Sequence, residues 1–342
     1  MQVHALSNPH THWRELEMIK YFLLLGVAGG TRLFGFMPNT KKGLTKAPDI
    51  LEYKSVADES VPEGMHVDII PIGQITEATT EADIDAWVAA GIIDGKIYPR
   101  FRTTNSELGV RYYVNLLPIV RYAGLKGVRV HLHPENPNMI FDNRDAEFQF
   151  IEIAEMFLNA TEATIIWEHG TDARCVPHWK VWAKTGRFYL TLTAHHLLGN
   201  ESDTYGDVDA ACKPPYKTEL DRLGLIALVL ENHSWVMAID DDAPHQEENK
   251  HVIGRCACGA YTSPFLLLLF AHALDELLQT EEGRVIFNNF ISNNTRTLYG
   301  IRTPIFLIEL VRKPFLIPLS YTAGPWTIVP FWAGRELLYS FV

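Results

Sequence analysis

The sequence predicts an α/β fold, a (β/α)₈ or TIM barrel, on two observations. Short apolar runs alternate with segments able to hold helices, the order that βα units produce. Residues of metal-ligating type stand at the C-terminal ends of at least five of those runs. A barrel gathers such ends at one mouth, whereas an open doubly wound sheet keeps its outer strand ends too far apart to share a site.

Eight runs qualify as strands: HALSNPHTH, RLFGFMPN, MHVDIIPIGQ, GIIDGKIYP, GVRVHLHPE, ATIIWEHG, RFYLTLTAHH and SWVMAIDDDAPH. Most are apolar throughout rather than alternating, as expected for parallel strands covered on both faces. ELEMIKYFLLLG fits a helix between the first two, and TEADIDAWVAAG one before the fourth. VRYYVNLLPIVRYAG and DAEFQFIEIAEMFLNA fit helices before the fifth and sixth. Thr80, followed by acidic residues, is an N-terminal helix signal. FLLLLFAHAL, near 265–274, is too short to span a bilayer and is expected as a buried helix. The chain, 1–342, is expected to form a single domain, with the barrel over about 1–275 and the tail packed on it as helix and extended segments.

The formal charge is −11 and hydrophobic residues make up 47%. This is globular composition, and the acidic balance argues against bulk affinity for nucleic acid or an anionic membrane. Four cysteines, Cys175, Cys212, Cys256 and Cys258, are few for this length and fit a reduced, cytoplasmic protein. Cys256 and Cys258 form a CxC with no second pair to complete a structural zinc site. The opening MQVHALSNPHTHWRE lacks the pattern of a secretory leader.

His10 and His12 are two apart, which on a strand puts both imidazoles on one face, where they can bind one ion. The plain alternative is a polar strand end near solvent. His131 and His169 each follow an apolar strand, and a buried imidazole there needs a partner. His133 competes with His131 for a ligand role, and His131 sits closer to the strand interior. Asp241, between Asp240 and Asp242, can bind metal and take a proton from metal-bound water, or lie in an acidic loop. Lys96, in DGKIYP, is a poor ligand as an ammonium, but its neutral amine can form a carbamate able to bridge two ions. His195 and His196, in TLTAHHLLGN, end the seventh strand beside the expected cavity.

Together HTHWR, GFMPNT, GKIYP with TTNS, VHLHPE, WEHGT, TAHHLL, CKPPYK, DDDAPH, CACGAYTSP and VPFWAGRELL resemble the dihydroorotase family of the amidohydrolase superfamily. The likeness is to its shorter, single-function bacterial members and runs over nearly the whole chain. It implies an amidohydrolase-type barrel with two divalent metal ions, best suited to zinc by ligand type. By matching position, His10 and His12 hold the more buried ion, and carbamylated Lys96 bridges both. His131 and His169 hold the second ion. Asp241 completes the first and serves as catalytic base, then acid. Arg14, Asn39 and His245 match residues that hold a substrate carboxylate. Thr103 and Thr104 match a mobile loop that covers it.

The implied reaction is reversible hydrolysis of the ring amide of (S)-dihydroorotate to N-carbamoyl-L-aspartate, in pyrimidine biosynthesis, by a hydroxide held between the metals. The expected partners are a small anionic substrate and a second copy of the chain in a homodimer. Some positions depart from the family pattern. Leu132 and His133 stand where a Gly-Glu pair follows the histidine matched by His131. Asp240 and Asp242 flank Asp241 in place of Thr and Ser, and Val208 and Asp209 replace a Pro-His pair. Arg100 and Arg102 are additions beside the loop threonines, expected to add positive potential at the mouth. These departures make a related cyclic amide or ureide the alternative substrate. A noncatalytic relative would have lost a metal ligand, and none is missing.

Overall fold

The computed structural model describes residues 1–252 and 257–342; Cys256, half of the CxC pair, lies outside them. Two strands open the chain, β1 (Gln2–His4) and β2 (Leu6–Thr11). Then come β3 (Thr31–Phe36), β4 (Asp68–Ile70), β5 (Gly73–Ile75), β6 (Asp94–Ile97) and β7 (Arg129–Leu132). β8 (Ile165–Trp167), β9 (Phe188–Thr193) and β10 (Val236–Ile239) follow. Strands β2 to β4 pair in parallel in chain order, as do β5 to β10. β4 and β5 share one barrel position. Pro71 lies between them and has no N–H to give a ladder, so the expected third strand is interrupted there.

The ring closes between β10 and β2, where Thr11 and Asp242 form a parallel bridge. His12 N–H donates to Asp242 O at 2.9 Å and Asp241 N–H to His10 O at 3.2 Å. Pro9 cannot donate in this seam. The wholly buried Asn8 compensates, its Oδ1 accepting from Asp240 N at 3.0 Å and from His10 N at 3.3 Å. The result is the (β/α)₈ barrel that the alternation of runs predicts.

The four expected barrel helices are present, at Ile19–Ala28, Glu81–Ala89, Leu117–Leu125 and Ile151–Ala160. Thr80 and Asp83 cap the second reciprocally, which satisfies two otherwise orphaned amides. Its Trp87 lies close against Gly73, where a Cβ would fall 2.5 Å from the indole. Ala47–Glu59 is the longest helix and was not among the expected ones. It buries only Ala47, Ile50, Tyr53 and Ala57, a narrow stripe that small residues make hard to see. Leu266–Ala273 is the expected buried helix. Beyond it, β11 (Leu307–Val311) pairs antiparallel with β1, tying the tail to the start of the chain. Among the described residues no helix is long and apolar enough to cross a membrane.

Candidate active site

The C-terminal ends of the barrel strands converge on one small cavity. His10 and His12 project from β2 and the residue after it. His10 Nε2 lies 3.0 Å and His12 Nε2 3.1 Å from the same oxygen, Asp241 Oδ1, and the two nitrogens are 3.4 Å apart. His169, after β8, brings its ring centroid within 5.2 Å of that of His10. One ligand atom each from His10, His169 and Asp241 fall within 4.8 Å of one another, and all three residues are buried. The backbones of Arg14, His169 and Asp241 are left-handed, with φ of 65°, 39° and 46°. Such conformations cost about 1–3 kcal/mol each outside glycine and gather at functional sites.

Charge is concentrated here. Burial works to raise the Asp241 carboxyl, but the imidazoles of His169 and His10, with bonds from His10 and His12, hold it well below the usual range. Burial lowers His12 to about 4 and pulls His169 well below the usual imidazole value. Lys96, at the end of β6, is 0% exposed, and its Nζ has no hydrogen-bond partner among the described residues. Burial lowers its amine to about 8, with Glu168 and Asp241 pulling the other way.

His131 does not join this group. Its Nδ1 lies 2.5 Å from Glu168 Oε1 and its Nε2 2.9 Å from Asp94 Oδ1. Ionised carboxylates only accept, so both ring nitrogens donate, and neither partner belongs to the cluster; His10 differs because the carboxylate at its Nε2 is Asp241, itself of ligand type. Although burial opposes it, these two partners raise the His131 pKa. His133 lines the cavity instead, its ring centroid 4.7 Å from that of His169. Glu135 Oε2 takes its Nε2 at 2.7 Å, which leaves Nδ1 for an ion. The signal was legible as His-Pro-Glu at 133–135: a carboxylate two residues on can orient a ligand imidazole. Read in that register, the acid that follows the family's histidine is Glu135, and the apparent departure at Leu132 disappears.

Arg14 is buried, and no carboxylate within ion-pairing distance is found among the described residues. Its Nε donates to Pro244 O and its Nη2 faces His245 Nε2, each at 2.9 Å. Asn39 stands one step away: its Oδ1 meets His12 Nδ1 at 2.8 Å and accepts from Tyr98 Oη at 3.0 Å. Its amide donates to Thr104 O at 2.9 Å, and Asn105 donates to Asn39 O at 2.9 Å. Asn39 thus clasps the loop of Thr103 and Thr104, which lines the cavity. Under this loop the cavity has about 20 Å³ of free space, enough for about one water molecule. Admission of any organic substrate requires the loop to move.

Arg102 does not face the mouth. It is buried, with Nε on Asn136 O at 2.8 Å and Nη2 on Asn138 O and Phe141 O at 2.7 and 2.8 Å. Arg100 is exposed, on the outer side of the loop. His195 and His196 fall in a short buried helix, Ala194–Leu198, and pack on Tyr216. Residue-level reasoning passed over Glu168, Tyr98 and Lys213. The first adjoins His169 in WEHG. The other two line the cavity beside quoted motifs, GKIYP and CKPPYK.

No family model matches the sequence. Curated relatives span it nearly end to end. Dihydroorotase of Shewanella sediminis is 29% identical over 344 residues, covering 96% of this chain and 95% of its own. Dihydroorotase of Neisseria gonorrhoeae is 28% identical over 352 residues, covering 98% of each. In fold, the chain is similar to dihydroorotase of Saccharomyces cerevisiae, solved with 5-fluoroorotic acid, at a TM-score of 0.90 and 23% identity over 100% of this chain and 98% of that one. An L-hydantoinase of Arthrobacter aurescens gives a TM-score of 0.85 at 14% identity over 100% of this chain and 83% of that one. With the barrel in place, the sequence likeness to curated dihydroorotases runs almost from end to end.

Proposed function

We propose that this chain is a dihydroorotase, a metal-dependent cyclic amidohydrolase that interconverts (S)-dihydroorotate and N-carbamoyl-L-aspartate. The observation that carries the substrate assignment is Arg14, a buried guanidinium without an ion pair among the described residues, beside the His10–His12–Asp241 cluster. A planar carboxylate on the ring substrate would supply the missing partner through a two-donor contact. His245, lowered to about 2 by burial and the neighbouring Arg14 charge, is a neutral second contact that adds no repulsion.

The donor set fits two divalent ions: His10, His12, His169 and Asp241, joined by His133 in place of His131, and by Lys96. Lys96 fits a bridging role because its buried amine has no hydrogen-bond partner among the described residues and burial lowers it to about 8. A neutral amine attacks carbon dioxide, forms the N–C bond and releases a proton, leaving a carbamate with two oxygens. When bound, the ions would activate water and stabilise the charge that develops on the amide oxygen. Zinc suits imidazole and carboxylate donors. Asp241 takes a proton from the attacking water and returns it to the leaving ring nitrogen. Asn39 holds the tautomer of His12 and, through Thr104, shuts the loop over the reacting ring. A homodimer of this chain completes the reading, and light scattering of purified protein tests that part.

The test is equilibration of both compounds by the purified, metal-loaded chain, followed by absorbance. Asp241→Asn should keep the fold and lose about 10²–10⁴-fold in turnover. His133→Ala should hold one ion where the parent holds two. Metal-replete protein that turns over neither compound, but opens another cyclic amide or ureide, would overturn the substrate assignment and leave the amidohydrolase class standing.

A further inference from the structure

Behind the ligands, away from the cavity, runs a continuous line of buried polar groups. It starts at Arg129, the first residue of β7, whose guanidinium lies over the Tyr299 ring at 4.3 Å. Arg129 Nε and Nη2 donate to Asp94 Oδ1 and Oδ2 at 2.7 and 2.6 Å. Asp94 Oδ1 accepts from His131 Nε2 at 2.9 Å, and His131 Nδ1 donates to Glu168 Oε1 at 2.5 Å. The other oxygen, Glu168 Oε2, serves two directions at once. It lies 2.9 Å from His10 Nδ1 and accepts from Thr191 Oγ1 at 2.6 Å. Thr191 Oγ1 in turn accepts the backbone N–H of His169 at 2.7 Å. Asp94, His131, Glu168 and Thr191 are each at most 1% exposed.

We infer that this line, with His131 at its centre, is a positioning device that sets two metal ligands, His10 and His169, from behind. Glu168 can only accept, and its Oε2 lies 2.9 Å from His10 Nδ1, a contact that favours the hydrogen on that nitrogen and the lone pair on Nε2, on the side of Asp241. The same oxygen fixes the Thr191 hydroxyl, which holds the left-handed backbone of His169 where its ring reaches the cluster. Glu168 is therefore a single hinge for ligands from two different strands, and among the described residues His131 holds its second oxygen. His131 in turn cannot rotate, because Asp94 and Arg129 hold its far side. A packing role would be met by apolar residues, without four polar side chains linked across β6, β7, the end of β8 and β9. The inference rests on the reading of His10 and His169 as metal ligands.

The test is the metal affinity of stripped protein, titrated with Zn²⁺ against a competing chromophoric chelator, with melting temperature measured on each sample. Thr191→Val and His131→Gln should weaken the tighter site by about 10–100-fold, the range for loss of a ligand's outer partner. Thr191→Ser should restore the parent affinity, and Arg129→Gln, two links beyond His131, should cost less than tenfold. Folded Thr191→Val and His131→Gln with the parent's affinity would overturn the inference. If His131→Gln does not fold, Thr191→Val against Thr191→Ser decides it alone. A parent that binds no ion overturns both this inference and the functional reading. A parent that binds two ions, with variants indistinguishable from it, overturns this inference only.

Discussion

Glu147 is wholly buried and accepts from Trp167 Nε1 at 3.2 Å, Thr171 N at 2.9 Å and the Thr171 hydroxyl. Burial raises its pKa from 4.5 to about 7, with the Lys217 charge pulling it down. The folded state therefore holds this proton more tightly than the unfolded chain. Its contribution to stability is complete below pH 4.5 and is lost as pH rises to about 7. At ~1.4 kcal/mol per unit, the loss is at most about 3.5 kcal/mol. Urea unfolding at pH 5 and pH 7.5 should show a fall in stability for the parent that is smaller in Glu147→Gln. An equal fall in both would mean that Glu147 ionises normally. At the same scale, the contrast between His131 and His133 is one of lone pairs. Both are buried, two residues apart on one chain. One has carboxylates at both nitrogens and the other at one.

The loop over the cavity is an element with its own anchors. Phe101 and Asn105 have φ of 65° and 52°, and Arg102 ties the loop to the carbonyls of Asn136, Asn138 and Phe141. A charged hydrogen bond contributes about 1.5–3 kcal/mol. Arg102→Gln should therefore lower stability by at least about 2 kcal/mol, with an effect on KM that salt does not change. Arg100→Gln, on the exposed side, should leave stability within about 0.5 kcal/mol. Its KM effect should be confined to low ionic strength. Calorimetry and KM at two salt concentrations distinguish the two. A salt-sensitive KM in Arg102→Gln with no loss of stability would return that residue to the mouth.

For the molecule as a whole, closure of the ring is the critical event, and Asn8 carries much of the seam. Removing its side-chain oxygen would orphan two buried amides, at about 1–3 kcal/mol each. Asn8→Ala should lose roughly 2–4 kcal/mol, read from denaturant midpoints, with the unfolding transition remaining single by fluorescence and circular dichroism. The tail belongs to the same unit in this expectation: Leu310, Ile317 and Tyr339 share one buried core with Leu6 of β2. A second transition assignable to the tail would contradict it.

Periodicity and order made the eight barrel positions and four helices readable, because apolar runs and capping residues act over a few residues. HTH, GKIYP, WEHG and the Asp241 stretch were readable as holding side chains of ligand type for the same reason: each sits where its own strand ends. The polar helix Ala47–Glu59 escaped because its stripe of buried residues is thin. The choice between His131 and His133 had to wait for three dimensions. Asp94 and Glu168, the residues that occupy His131, come from the neighbouring strands β6 and β8, and no spacing along β7 reports on them. The same holds for Arg102, whose acceptors lie more than thirty residues away. Local sequence can say that a side chain is able to bind an ion. Whether its lone pair is still free depends on neighbours that only pairing between strands brings within 3 Å.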